Sequence, residues 1–160
     1  MPRTASASVA GSWYHVLNRG NQRAVAFHKS ADYDAFVRAV ADATARLPVD
    51  LLGYCLMPNH FHLVMRTHAD GDLGRWVRWL LVAHAQRYHR HYHTTGHVWQ
   101  GRYKAFPVQD DDHLVGVCCA MWSAMPCGRS WWRGPRIGSG RACRALASTI
   151  SSPQIPGRPR

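Results

Sequence analysis

Glutamate is absent from this chain: all nine acidic residues are aspartates, and none lies beyond Asp112. Cys-x-x-Cys pairs are absent as well. Five cysteines, an odd number without that spacing, make neither a metal ribbon nor an evident disulfide framework, and they read as free thiols. No run approaches the roughly 20 apolar residues that a membrane-spanning helix needs, and Met1 to Gly11 is small and polar, unlike a leader. A cytoplasmic protein is the expectation. No internal repeat is visible. What is present is 160 residues, 46% of them hydrophobic, which suits one domain with a real core.

The formal charge of +11 invites a nucleic-acid reading, but its distribution weakens the argument. From Val117 onward there are seven arginines and no acid, so the preceding part carries only +4. That tail, residues 118–160, is rich in Gly, Pro, Ser, Arg and Trp and shows no sustained periodicity. It reads as irregular, after a domain over residues 12–117.

Within the domain, Trp13 to Leu17 is a short aromatic and β-branched run closed by a polar loop, Asn18-Arg19-Gly20-Asn21. Arg19 and Arg23 near its mouth are either phosphate contacts or solvated loop charge. Ser30 is placed to cap a helix running to about Arg46, with Tyr33, Phe36, Val37, Val40, Thr44 and Leu47 on one face and Pro48 as the stop. Leu51 to Met57, the turn pair Pro58-Asn59, and His60 to Arg66 make a β-hairpin. Asp72 is placed to cap a second helix to about His91, its apolar stripe being Leu73, Trp76, Val77, Leu80, His84 and Tyr88. Arg75, Arg78, Arg87 and Arg90 lie off that stripe, where they meet a phosphate backbone or simply keep the helix soluble. A last strand, Tyr103 to Val108, precedes Asp110-Asp111-Asp112, which has the acidic first turn of a third helix. Strand, helix, hairpin, helix, strand is the order of an α+β fold of ferredoxin-like type, an antiparallel sheet with helices on one face.

The chemistry concentrates at His60-Phe61-His62. Side chains alternate along a strand, so the two histidines share a face and Phe61 enters the opposite layer. Two neutral imidazoles leave coordination positions free on a divalent cation, which suits a Lewis acid at a phosphate better than a closed structural site. A bare His-x-His is more often a pair of strand histidines hydrogen-bonded to the core or to solvent. His91-Tyr92-His93 repeats the spacing at a helix end, where residues two apart do not share a face.

Context favours the metal. The stretch Leu56-Met57-Pro58-Asn59-His60-Phe61-His62-Leu63-Val64 resembles the HUH signature of the single-tyrosine transposases, especially the branch associated with repetitive extragenic palindromes (REP). Segments His15 to Gly20, Gly96 to Lys104 and Asp110 to Leu114 resemble that family in the same order. The resemblance implies an enzyme that cleaves and rejoins single-stranded, hairpin-forming DNA. It makes His60 and His62 ligands of Mg²⁺ or Mn²⁺, with Arg19, Arg23, Arg75, Arg78, Arg102 and Lys104 as candidate DNA contacts. It also places a tyrosine nucleophile on the helix beginning near Asp111. A phenol, with a pKa near 10, needs such a cation to polarise the phosphate it attacks.

Here the chain departs from the family. The pattern expected is Arg-Tyr-(Val or Ile)-x-x-Asn-(Pro or Ala)-x-Arg-Ala, but Cys118 to Pro126 reads Cys-Cys-Ala-Met-Trp-Ser-Ala-Met-Pro, and no Tyr or Asn follows Tyr103. Met and Trp have one codon each. Joining the last base of one codon to the first two of the next forces Val across Met121/Trp122 and Ala across Met125/Pro126. The other codons permit Leu-Arg-Tyr-Val-Glu-Arg-Asn-Ala-Leu-Arg-Ala between Cys118 and Arg129. A reading frame that slips near Cys118 would put the tyrosine codon across Ala120 and Met121. Three functions follow: an impaired transposase, a DNA-hairpin-binding remnant that does not cut, and a metal-dependent hydrolase with a water nucleophile.

Overall fold

The computed structural model describes residues 8–108 and 131–133. Its elements are β1 (Trp13–Arg19), α1 (Ser30–Arg46), β2 (Val49–Met57), β3 (His60–Thr67), α2 (Asp72–Tyr92), β4 (Lys104–Val108) and β5 (Trp131–Arg133). The sheet order is β4-β1-β3-β2-β5, and every neighbouring pair is antiparallel. The α+β fold read from the sequence is the one observed. Its first four strands take the order in which β3 is inserted between the parallel strands β1 and β2.

Alternation along the strands builds the core. Tyr14 and Val16 of β1, Tyr54 and Leu56 of β2, and Phe61, Leu63 and Met65 of β3 all face the helices and are buried. Against them α1 sets Tyr33, Phe36, Val40 and Ala43, and α2 sets Leu73, Trp76, Val77 and Leu80. Phe36, Phe61 and Trp76 are fully buried, and each such aromatic removes ~150–250 Å² from water. The opposite face carries a smaller apolar cluster of Trp13, Cys55, Val64 and Val108. A register shift between Leu51 and Gly53 makes Leu52 an extra residue in β2. Leu51 packs on the helix-side cluster and Leu52 on the opposite one, as alternation dictates, and the bulge leaves Leu52 and Gly53 together opposite Val64.

Element ends differ from the sequence expectation in physically specific ways. Asn18 and Arg19, read as loop, extend β1, because they pair with Phe61 and His60 of β3. Ser30 is the first residue of α1 and Lys29 is its N-cap; the Asp32 carboxylate accepts the His28 and Lys29 N–H groups at 2.9 and 3.1 Å, so it does the capping. Asp72 likewise sits inside α2, after Gly71 in the left-handed region at φ 78°. Within the segment read as irregular, Trp131–Arg133 forms a strand on β2. The helix expected near Asp111 and the rest of the tail lie outside the described residues. Among the described residues no helix is long and apolar enough to cross a membrane.

Candidate functional site

The site is built on the face of the sheet that the helices leave. Antiparallel partners point the same way, so the registers arrange its side chains in rows. One row runs Arg19–His60–Met57, the next Lys104–Leu17–His62–Cys55, and the next begins Phe106–His15–Val64. His60 and His62 therefore share this face, with ring centroids 5.1 Å apart and planes at 78°. Phe61 between them is fully buried on the other side.

A tie of three chain segments fixes the end of β3 that carries His60. Gly20 N–H donates to the Asn59 carbonyl at 2.7 Å, and Ala26 and Phe27 N–H both donate to the Pro58 carbonyl. Asn21 N–H donates to the Val98 carbonyl, and Gln100 N–H to that of Arg19. A Cβ on Gly20 would lie 2.1 Å from the Ala24 carbonyl oxygen, so only glycine permits this approach. Gln22 and Arg23 are in the left-handed region, at φ 52° and 62°, a conformation costly for side-chain-bearing residues and held here by the surrounding bonds.

The two imidazoles are neutral near pH 7. Burial lowers the His60 pKa, with help from Arg19. Burial lowers that of His62 to about 4, with further contributions from His15, His60 and Arg19. His60 Nδ1 lies 2.7 Å from Asn59 Oδ1, and His62 Nδ1 lies 2.9 Å from His15 Nε2. Both Nδ1 atoms are thus engaged, which leaves the Nε2 atoms for a cation. Two imidazoles that share an ion at metal–nitrogen distances of about 2.1 Å have centroids about 5 Å apart, so the observed separation fits a common divalent ion. His15 is no third ligand in this arrangement, and no group of three or more His, Cys, Asp or Glu able to hold a metal occurs among the described residues.

The basic candidates divide between the layers. Arg19 is the direct neighbour of His60, and Lys104 lies two strands from His62, roughly 10 Å at ~4.8 Å per strand. Arg23 is exposed in the segment after β1, where its carbonyl accepts from Asn59 Nδ2, and Arg102 is exposed just before β4. Arg75 and Arg78 are exposed on α2, in the layer across the sheet, where Arg75 pairs with Asp72 at 3.1 Å. They are not brought to the histidine pair. Sequence reasoning missed His15, Asn59 and Phe106 as neighbours of the pair. Phe106, half exposed, stands 6.4 Å from the His15 ring.

All six tyrosines of the chain fall among the described residues, and none faces His60 and His62. Tyr14, Tyr33 and Tyr54 are in the helix-side core, and Tyr103 packs against it beside Gly74 of α2. The Tyr88 hydroxyl meets His28 Nε2 at 2.8 Å. The Tyr92 hydroxyl donates to Asp32 at 2.6 Å, and desolvation together with that carboxylate pushes its pKa up to about 12. In the second His-x-His, His91 meets the Lys29 amine and His93 is the left-handed C-cap of α2.

Known proteins resemble this chain at the level of the fold and of the family. A solved REP-associated tyrosine transposase, bound in that structure to a REP hairpin, superposes with a TM-score of 0.56 at 14% identity, over 73% of this chain and 67% of that one. A crystal structure of a candidate transposase from Deinococcus radiodurans R1 gives 0.53 at 17% identity, over 77% and 97%. At such identities the likeness concerns the fold. No curated protein matches the sequence. The family model for IS200-like transposases matches residues 8–117. That span includes β1 to β4, the histidine pair and the tie behind it, so the chain belongs to the IS200-like transposase family.

Proposed function

We propose that this protein is a transposase of the single-tyrosine kind, built to cleave and rejoin single-stranded, hairpin-forming DNA, and that this copy has lost the covalent step. The observation that carries the second half is the placement of the tyrosines: all six lie on the helix side, away from His60 and His62. Support for the first half comes from the family, from the neutral histidine pair, and from the hairpin bound by the structurally similar REP-associated enzyme.

His60 and His62 would hold Mg²⁺ or Mn²⁺ through Nε2, and the ion would polarise the scissile phosphate and offset charge as it develops. Arg19 and Lys104 on that face, with the exposed Arg23 and Arg102, would supply phosphate contacts. The tyrosine that should attack, forming a phosphotyrosine as the DNA strand's sugar oxygen leaves, belongs near Ala120, outside the described residues. A frame slip near Cys118 accounts for its loss. If the coding bases across Ala120/Met121 do not spell TAT in the shifted frame, the tail needs another origin.

The decisive experiment incubates the chain with a labelled hairpin oligonucleotide and Mn²⁺. Salt-sensitive binding without a covalent adduct is expected, together with adduct formation by a frame-restored chain. An adduct formed by the chain as it stands would overturn the loss of the covalent step; absence of hairpin binding would overturn the DNA reading. The tyrosine placement also favours a second description, a hairpin-binding remnant. The two differ only in whether restoring the frame restores cleavage.

A further inference from the structure

The histidine pair is held by hydrogen bonds whose direction decides whether it can bind a cation at all. Asn59 Nδ2 donates to the Arg23 carbonyl at 3.3 Å, which fixes the amide orientation and leaves Asn59 Oδ1 as an acceptor. His60 Nδ1, 2.7 Å from that oxygen, must then carry the proton. Its Nε2 keeps the free lone pair. For His62 the partner is His15 Nε2, on the adjacent strand β1, at 2.9 Å, with the rings stacked at 5.2 Å and planes 19° apart. Such a bond can run either way: if His15 donates, the neutral His62 carries its proton on Nε2 and cannot ligate there.

We infer that Asn59 and His15 are positioning residues that set His60 and His62 as Nδ1–H tautomers, with His15 accepting from His62, so that both Nε2 atoms face a cation ready to coordinate. The inference rests on the metal reading above and adds how the chain prepares for the ion. It also explains why the Asn59 loop is tied so closely: Arg23, whose carbonyl orients Asn59, keeps the left-handed backbone that aims it there. The register that puts Leu17 opposite His62 brings His15 into the next row of the same face, within reach of the ring.

The test uses ¹⁵N NMR of the metal-free full chain at neutral pH, where the two ring nitrogens of each neutral imidazole are distinguishable. Nδ1–H is expected for both His60 and His62. Asn59→Ala should scramble His60 alone and His15→Ala should scramble His62 alone. Each should weaken Mn²⁺ binding roughly 10- to 100-fold, read by electron paramagnetic resonance of the free ion. Asn59→Asp and His15→Gln, which retain an acceptor, should recover most of the affinity. Nε2–H on either histidine in the unaltered protein overturns the inference, without need of any variant. So do alanine variants with unchanged tautomers and unchanged affinity. An unaltered chain that binds no Mn²⁺ overturns the metal reading instead, while its tautomers still decide the roles of Asn59 and His15.

Discussion

His84 is a titratable ring sealed among others: Phe27, Phe36 and Trp99 lie with centroids 5.2 to 5.5 Å from it, and its Nδ1 finds no hydrogen-bond partner among the described residues. Burial lowers its pKa to about 4; Asp32 opposes that shift and Arg87 adds to it. The unfolded chain therefore takes up a proton before the folded one does. The contribution of the neutral ring is complete above pH ~6.5 and is lost as pH falls toward 4, which amounts to about 3 kcal/mol. Urea unfolding across that window should show the loss, and His84→Leu should make the slope shallower. His15, His60 and His62, whose pKa values burial also lowers, keep some of it in the variant.

Among the elements, the tie behind His60 is the one most exposed to single changes. Gly20→Ala would press a methyl group onto the Ala24 carbonyl, and thermal unfolding should record a loss of about 1–3 kcal/mol. Mn²⁺ affinity should fall with it, because Asn59 loses its anchorage. The sequence showed the hairpin, and with it the shared face of His60 and His62, since period-two alternation needs no information beyond the strand itself. It showed most of the helical stripes: Leu73, Trp76, Val77, Leu80 and His84 are buried while Tyr88 is half-buried, and in α1 Tyr33, Phe36 and Val40 are buried while Val37, Thr44 and Leu47 are half-buried. It missed His15 as a partner because that contact depends on which residues of β1 face β3, a matter of register set by the whole sheet. It misjudged Asn18 and Arg19 because a polar pair ahead of glycine resembles a loop, while the pairing with β3 and the Gln100 N–H bond keep them extended. The caps at Ser30 and Asp72 were each read one residue late: in α1 the Asp32 carboxylate, two residues beyond Ser30, takes the His28 and Lys29 N–H groups, and in α2 the left-handed Gly71 makes the turn.

For the whole molecule, the sheet separates two surfaces with different basic groups. If the hairpin lies against the histidine face, Arg19→Ala and Lys104→Ala should each weaken its binding, with the salt dependence falling by about one counterion. Arg78→Ala, across the sheet, should change little. Fluorescence titration at several salt concentrations distinguishes these outcomes, and an equal effect of all three would move the DNA elsewhere. The overall charge could not have made this distinction, because a sum carries no sidedness.

That all six tyrosines stand behind the sheet has a consequence for the cell as well as for the test tube. A protein that grips a hairpin end and cannot cut it acts by occupancy, shielding the end from any active copy in proportion to its abundance. Mixed with the frame-restored chain on a limiting hairpin substrate, the present chain should slow adduct formation progressively as its share rises. If the proposed loss of cleavage holds, the chain would compete with active copies for the same hairpin end.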